Sequence, residues 1–219
     1  MKKSILVVMI YLTANINFAQ IDNSFVTINK KQSSFAIFEN GNSSTILISA
    51  SDFSGVQKVA AWLQNDIEMV TSKKPEILID QNSKNKNIII IGTLGKSNII
   101  DELKKFSNIN LSELESRTEK FIIETVENPL PNVDKALVIV GSDKRGTIYG
   151  MLELSKQIGV SPWYWWADVA VKKKDNLFIK PGRFSNGEPK VKYRGIFLND
   201  EAPALTNWAK EKFGGFNHK

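Results

Sequence analysis

Residues 87–97 read NIIIIGTLGKS, with four consecutive isoleucines, Ile88 to Ile91, between polar and turn-forming residues. Successive side chains of a strand point to opposite faces, so a strand with one wet face alternates apolar and polar residues. This run is apolar at every position. It therefore predicts a strand covered on both faces, the composition of a parallel sheet flanked by helices.

The flanking segments carry the matching helical period. Upstream, Val56, Val59, Ala60, Leu63, Ile67 and Val70 recur at steps of three and four and form one apolar stripe. Ser54 and Gln57 have capping-box spacing, Lys73 and Lys74 suit the negative helix end, and Pro75 stops the helix. Downstream, a second helix is expected over Ser97 to Phe106. A third is expected from about Asp143 to Ile158, with Gly159 in the stop position. Short apolar runs at Ile77–Ile79, Lys120–Thr125 and Ala136–Val140 read as strands. Phe35–Phe38 and Thr45–Ser49 read as a β-hairpin turned by Asn40, Gly41 and Asn42. Strands alternating with helices make the fold class α/β.

The glycines after these strands invite a nucleotide-binding reading that the spacing refuses. Gly95-Lys96-Ser97 lacks the earlier glycine of a phosphate-binding loop, because Ile90 stands there. Gly141 and Gly146 have the spacing, but Thr147 replaces the lysine that would meet the terminal phosphates. Both glycine sets read as turns.

The amino terminus has its own texture. Lys2 and Lys3 precede an unbroken apolar run, Ile5 to Leu12, followed by small and polar residues. This order predicts a secretory signal peptide over residues 1–19, cleaved after Ala19, and a secreted or periplasmic protein. With no cysteine there is no disulfide and no lipid anchor at the cleavage site. The formal charge is +6; losing Lys2 and Lys3 would leave +4 (6 − 2). The basic residues are dispersed apart from short runs such as Lys172–Lys174, which argues against nucleic acid as a partner. A modest positive charge can favour an acidic polysaccharide.

Beyond residue 160 the composition changes. Residues 161–168 read SPWYWWAD and hold three of the five tryptophans. The aromatics Trp163 to Trp166 have two readings, a plug against a following domain or a stacking surface for sugar rings. A charged, Gly/Pro-containing connection is expected from Lys172 to Pro189. Residues 191–201, VKYRGIFLNDE, read as a strand ending in polar residues. In a β/α barrel such strand ends build the active site, and glycosidic chemistry uses two carboxyl groups. Asp200 and Glu201 point opposite ways in extended chain, so at most one belongs to such a site. Carboxylates capping a strand-to-loop turn are the equal alternative. His218, the single histidine, supports neither a triad nor a multi-histidine metal site.

The blocks GSDKRGTIYGMLELSKQIGVSPWYWWADV and VKYRGIFLNDEAPALTNWAKEKFGGFNHK, within residues 141–219, resemble glycoside hydrolase family 115, the xylan α-1,2-glucuronidases. The resemblance implies a leading, hexosaminidase-like α/β accessory domain over 20–185. It implies that 186–219 opens a β/α-barrel catalytic domain, here truncated after its first strand. It implies inverting release of glucuronic acid or its 4-O-methyl ether from glucuronoxylan, with no cofactor or metal. It places Asp200 in the catalytic site and Asn199 and Glu201 against the substrate, with the general acid beyond Lys219. A fragment of this kind is expected to be inactive, and its full-length parent to pair through later domains. The competing expectation is a non-catalytic secreted module for carbohydrate binding or protein docking.

Overall fold

The computed structural model describes residues 24–195 together with Asn207, Lys210 and Glu211. The expected signal peptide falls outside these residues. The chain divides into two units, Met1–Glu188 and Pro189–Lys219.

The first unit is built on a six-stranded sheet in the order β10-β7-β8-β6-β4-β5. Its strands are β4 (Thr45–Ile48), β5 (Ile77–Ile79), β6 (Asn87–Thr93), β7 (Phe121–Leu130), β8 (Val133–Gly141) and β10 (Arg183–Asn186). β5, β4, β6 and β8 run parallel, while β7 and β10 complete one side antiparallel. A second, antiparallel sheet has the order β1-β9-β2-β3, from Val26–Thr27, Leu177–Ile179, Phe35–Glu39 and Asn42–Ser43.

The four isoleucines form the middle of β6, and all are fully buried. Alternation then sorts them between two cores. Ile89 and Ile91 join one cluster with helices α1 (Ser54–Thr71) and α3 (Lys144–Ile158) and the small sheet. Ile88 and Ile90 join a second cluster with helix α2 (Asn98–Phe106) on the opposite face. The predicted stripe of α1 is buried at every named position.

Several local expectations change. The hairpin closes earlier than the sequence suggests. Phe38 pairs with Ser43 and Glu39 with Asn42 across Asn40 and Gly41, both at positive φ, as a two-residue turn of the primed kind requires. Thr45–Ile48 instead leaves for the large sheet, where its four residues are all buried. Helix α1 starts without a side-chain cap at its first N–H groups. Gln57 reaches back, but it donates to the carbonyls of Ser49, Ala50 and Asp52. The helix ends at Thr71, with Ser72 left-handed, so Lys73 and Lys74 lie past it.

The expected connection from Lys172 to Pro189 contains two strands. β9 sits between β1 and β2, and β10 pairs with β7. Their short apolar content, Leu177–Ile179, is masked in sequence by flanking charge. Gly141 and Gly146 are close-packing positions rather than turns. A Cβ on Gly141 would lie 1.9 Å from the Thr147 amide nitrogen, and one on Gly146 would lie 2.2 Å from the Lys120 carbonyl oxygen. Their absence lets the start of α3 settle directly onto the ends of β7 and β8.

In the second unit, Val191–Gly195 is exposed and is not a strand, although the sequence suggests one from Val191. Among the described residues it has no neighbouring strand to satisfy its backbone groups. The Val191 carbonyl instead accepts from the Arg194 guanidinium, and the Lys192 ammonium stands 5.5 Å from the Tyr193 ring centroid.

Candidate functional site at the strand ends

Open α/β sheets present their ligand crevices at the carboxyl ends of parallel strands. Here those ends are Ser49–Asp52 after β4, Thr93–Ser97 after β6 and Gly141–Asp143 after β8.

Three carboxylates occupy this edge or its border, and each has both oxygens engaged. Asp52 accepts the backbone N–H of Thr93 and of Phe53, both at 2.7 Å. Asp80 accepts from the Ser49 hydroxyl at 2.7 Å and the Ala50 N–H at 2.9 Å. Asp143 caps α3 by accepting the Gly146 N–H at 2.8 Å, and takes the Glu119 N–H at 2.9 Å. Hydroxyls fill the spaces between them. Thr93 and Thr147 share a hydrogen bond of 2.8 Å, and Ser51 links the Lys96 carbonyl to the Asn98 N–H. Among the described residues, Ser97 alone keeps a buried hydroxyl without a partner.

This chemistry ties loops together. A carboxylate holding two backbone or hydroxyl donors fixes the chain but has little capacity left to move a proton or attack a bond. Of the three, only Asp143 carried a sequence signal, as the residue at which the third helix is expected to begin. Asp52 and Asp80 had no signal as latches, because the donors they hold on neighbouring segments, Thr93 and Ser49, lie 41 and 31 residues away.

Elsewhere in this unit one carboxyl is pushed upward. Burial raises Asp66, in the middle of α1, and a hydrogen bond with Ser155 partly offsets it. Among the described residues no second carboxylate acts on it, so they do not form the two-carboxyl arrangement of a glycosidase there. On the far edge of the sheet, Glu113 is lowered by its hydrogen bond with Lys120 and, against partial desolvation, by Arg183. Arg183 also binds Glu124, and these two carboxylates raise it despite desolvation. That cluster fastens β10 to β7. Among the described residues, no group of three or more His, Cys, Asp or Glu side chains is placed to hold a metal. No described helix is long and apolar enough to cross a membrane.

The sequence-derived candidates Asn199, Asp200 and Glu201 lie outside the described residues, as does His218. Of the aromatic block, Tyr164–Ala167 forms the short helix α4 and Trp163 is 61% exposed.

Comparison with known proteins adds the following. The chain matches the model of the glycosyl hydrolase family 67 N-terminus over residues 26–154, and that of glycosyl hydrolase family 115 over 186–219. Among solved structures it is similar to BtGH115A, described as a family 115 4-O-methyl-α-glucuronidase with specificity for decorated arabinogalactans. The identity is 35% and the TM-score 0.67, over 84% of this chain and 22% of that one. The chain thus spans about a fifth of that relative's length. A second structure, CpGH84D, matches at 10% identity and a TM-score of 0.42, over 71% of this chain and 22% of that one, and carries no argument. No curated protein matches the chain.

Proposed function

Because this chain belongs to glycoside hydrolase family 115, with a leading domain of the family 67 N-terminal kind, we propose that it is the front portion of a secreted α-glucuronidase. The whole enzyme would release glucuronic acid or its 4-O-methyl ether from glucuronoxylan by inverting hydrolysis. The observation that carries this reading is the family 115 match at residues 186–219, directly after the α/β unit.

The α/β unit supports the reading indirectly. Its strand-end carboxylates are all committed to backbone and hydroxyl donors, so the chemistry belongs to the part that begins near residue 186. There Asp200 would act as base or sugar-positioning group, with Asn199 and Glu201 contacting the sugar. Inversion needs two carboxyl groups about 6.5–9.5 Å apart, with water between them. The partner carboxyl would come from beyond Lys219, and the 219-residue chain alone would be inactive. The name of the 35% identical relative favours a second substrate, a decorated arabinogalactan carrying the same uronic acid.

The test is an assay of uronic acid release from glucuronoxylan and from a decorated arabinogalactan. It compares the 219-residue chain, a version extended with the downstream coding sequence, and the extended version carrying Asp200→Asn. The reading expects release from the extended chain only, and a loss of about two orders of magnitude or more on substitution. Release by the 219-residue chain would overturn the division of labour. A mild effect of the substitution would move Asp200 out of the site.

A further inference from the structure

The ends of α1 and α3 are joined by a segment distant in sequence. The Lys174 N–H donates to the Val70 carbonyl in the last turn of α1, at 2.8 Å. Its ammonium donates to the Ile158 carbonyl at the end of α3, at 2.6 Å. This clip brings the lysine pair 73–74 and the run 172–174 to one pole, where Lys156 of α3 also lies in the last turn.

Lysines at helix carboxyl ends commonly offset the helix dipole. Lys174 does so, and desolvation lowers its pKa. Lys74 and Lys156 stand 3.5 and 3.6 Å from Glu68 and Glu153. Lys73, Lys172 and Lys173 differ from these three. All are exposed and none has an ion-pair partner among the described residues; the nearest carboxylates along the chain are the exposed Glu76 and Asp175. Three cationic heads therefore face solvent at one pole, because Lys174 ties the 172–174 run to the end of α1 through its backbone and to the end of α3 through its side chain. Trp163, 61% exposed, leaves the same end of α3 four residues after Gly159 and offers a ring face that sugars can stack on.

We propose that this pole, through Lys73, Lys172 and Lys173, is a docking surface for a uronate-bearing polysaccharide. The proposal rests on the glucuronidase reading for its ligand class, because spaced carboxylates on a polymer are what three exposed ammonium groups attract. Exposed charge of one sign raises the local concentration of an oppositely charged polymer and loses that effect with salt.

The experiment measures binding of the 219-residue chain to polygalacturonate, to its fully methyl-esterified form and to duplex DNA, at low salt and at about 0.15 M salt. Two triple variants with equal charge change are compared: Lys73→Glu/Lys172→Glu/Lys173→Glu, and the distant Lys84→Glu/Lys104→Glu/Lys105→Glu. The proposal expects polygalacturonate binding that weakens with salt, falls about tenfold or more in the first variant and stays within about twofold in the second. If the first variant melts at a lower temperature, the corresponding Lys→Gln triple is measured in its place, with the same expectation. Equal losses in both variants, undiminished binding of the esterified probe, tighter binding of DNA, or no binding at low salt would each overturn it. Uronic acid release by the extended chain is read separately, so failure of docking and failure of the glucuronidase reading are distinguishable.

Discussion

Asp52 accepts the backbone N–H of Thr93 at 2.7 Å across 41 residues, joining the end of the first parallel strand to the end of its neighbour. The carboxylate is only 5% exposed, and it also holds the first N–H of the turn into α1. Removing it strands two backbone donors. Asp52→Ala should therefore destabilise the α/β unit by about 2–3 kcal/mol, read as a lower urea midpoint with an unchanged slope. A loss below about 0.5 kcal/mol would show that water replaces the carboxylate without cost.

Gly146 touches the Lys120 carbonyl so closely that a methyl group has no place. Gly146→Ala should cost about 2 kcal/mol or more through displacement of α3 from the strand ends. Gly187 has nothing within 4 Å of its Cβ position, and Gly187→Ala should change stability by less than about 0.5 kcal/mol. The thermal midpoints of the two variants against the parent decide the comparison.

The Glu113 carboxyl, held below its ordinary value by Lys120 and Arg183, makes the β10 edge sensitive to acid. A lowered carboxylate contributes stability that is complete above its unfolded value of about 4.5 and is lost as pH falls through the lowered folded value. Glu113→Gln should thus be less stable than the parent near neutral pH, and the gap should close as pH falls below 4.5 and through the lowered folded value. A gap independent of pH would assign the effect to packing.

Asp66 carries the opposite sign. Burial raises its carboxyl above 3.8, so its charge costs stability, and the cost sets in as pH rises from the ordinary value through the raised one. Asp66→Asn should be more stable than the parent at neutral pH and lose that advantage in acid. Destabilisation at neutral pH would mean that the bond with Ser155 outweighs desolvation.

Much of the fold was legible because it rests on local repetition. The isoleucine run of β6, the stripe of α1 and the glycine stop of α3 each report burial through spacing alone. Strands of two to four residues carry too few side chains for a period, which hid β9 and β10 behind lysines. The candidate site divides in the same way. Asp143 could be read as a cap, since its α3 target lies three residues away, whereas the links of Asp52 to Thr93 and of Asp80 to Ser49 span 41 and 31 residues.

The sequence by itself determined the α/β class, the three long helices and the two-sided burial of the central strand, because periodicity is a property of neighbours along the chain. Only the tertiary structure decided that strand-end carboxylates are latches and that Lys73 and Lys172–Lys174 share one pole. Hydrogen bonds and charge fields depend on distance in space, and a chain folded over 100 residues erases any link between that distance and position in sequence.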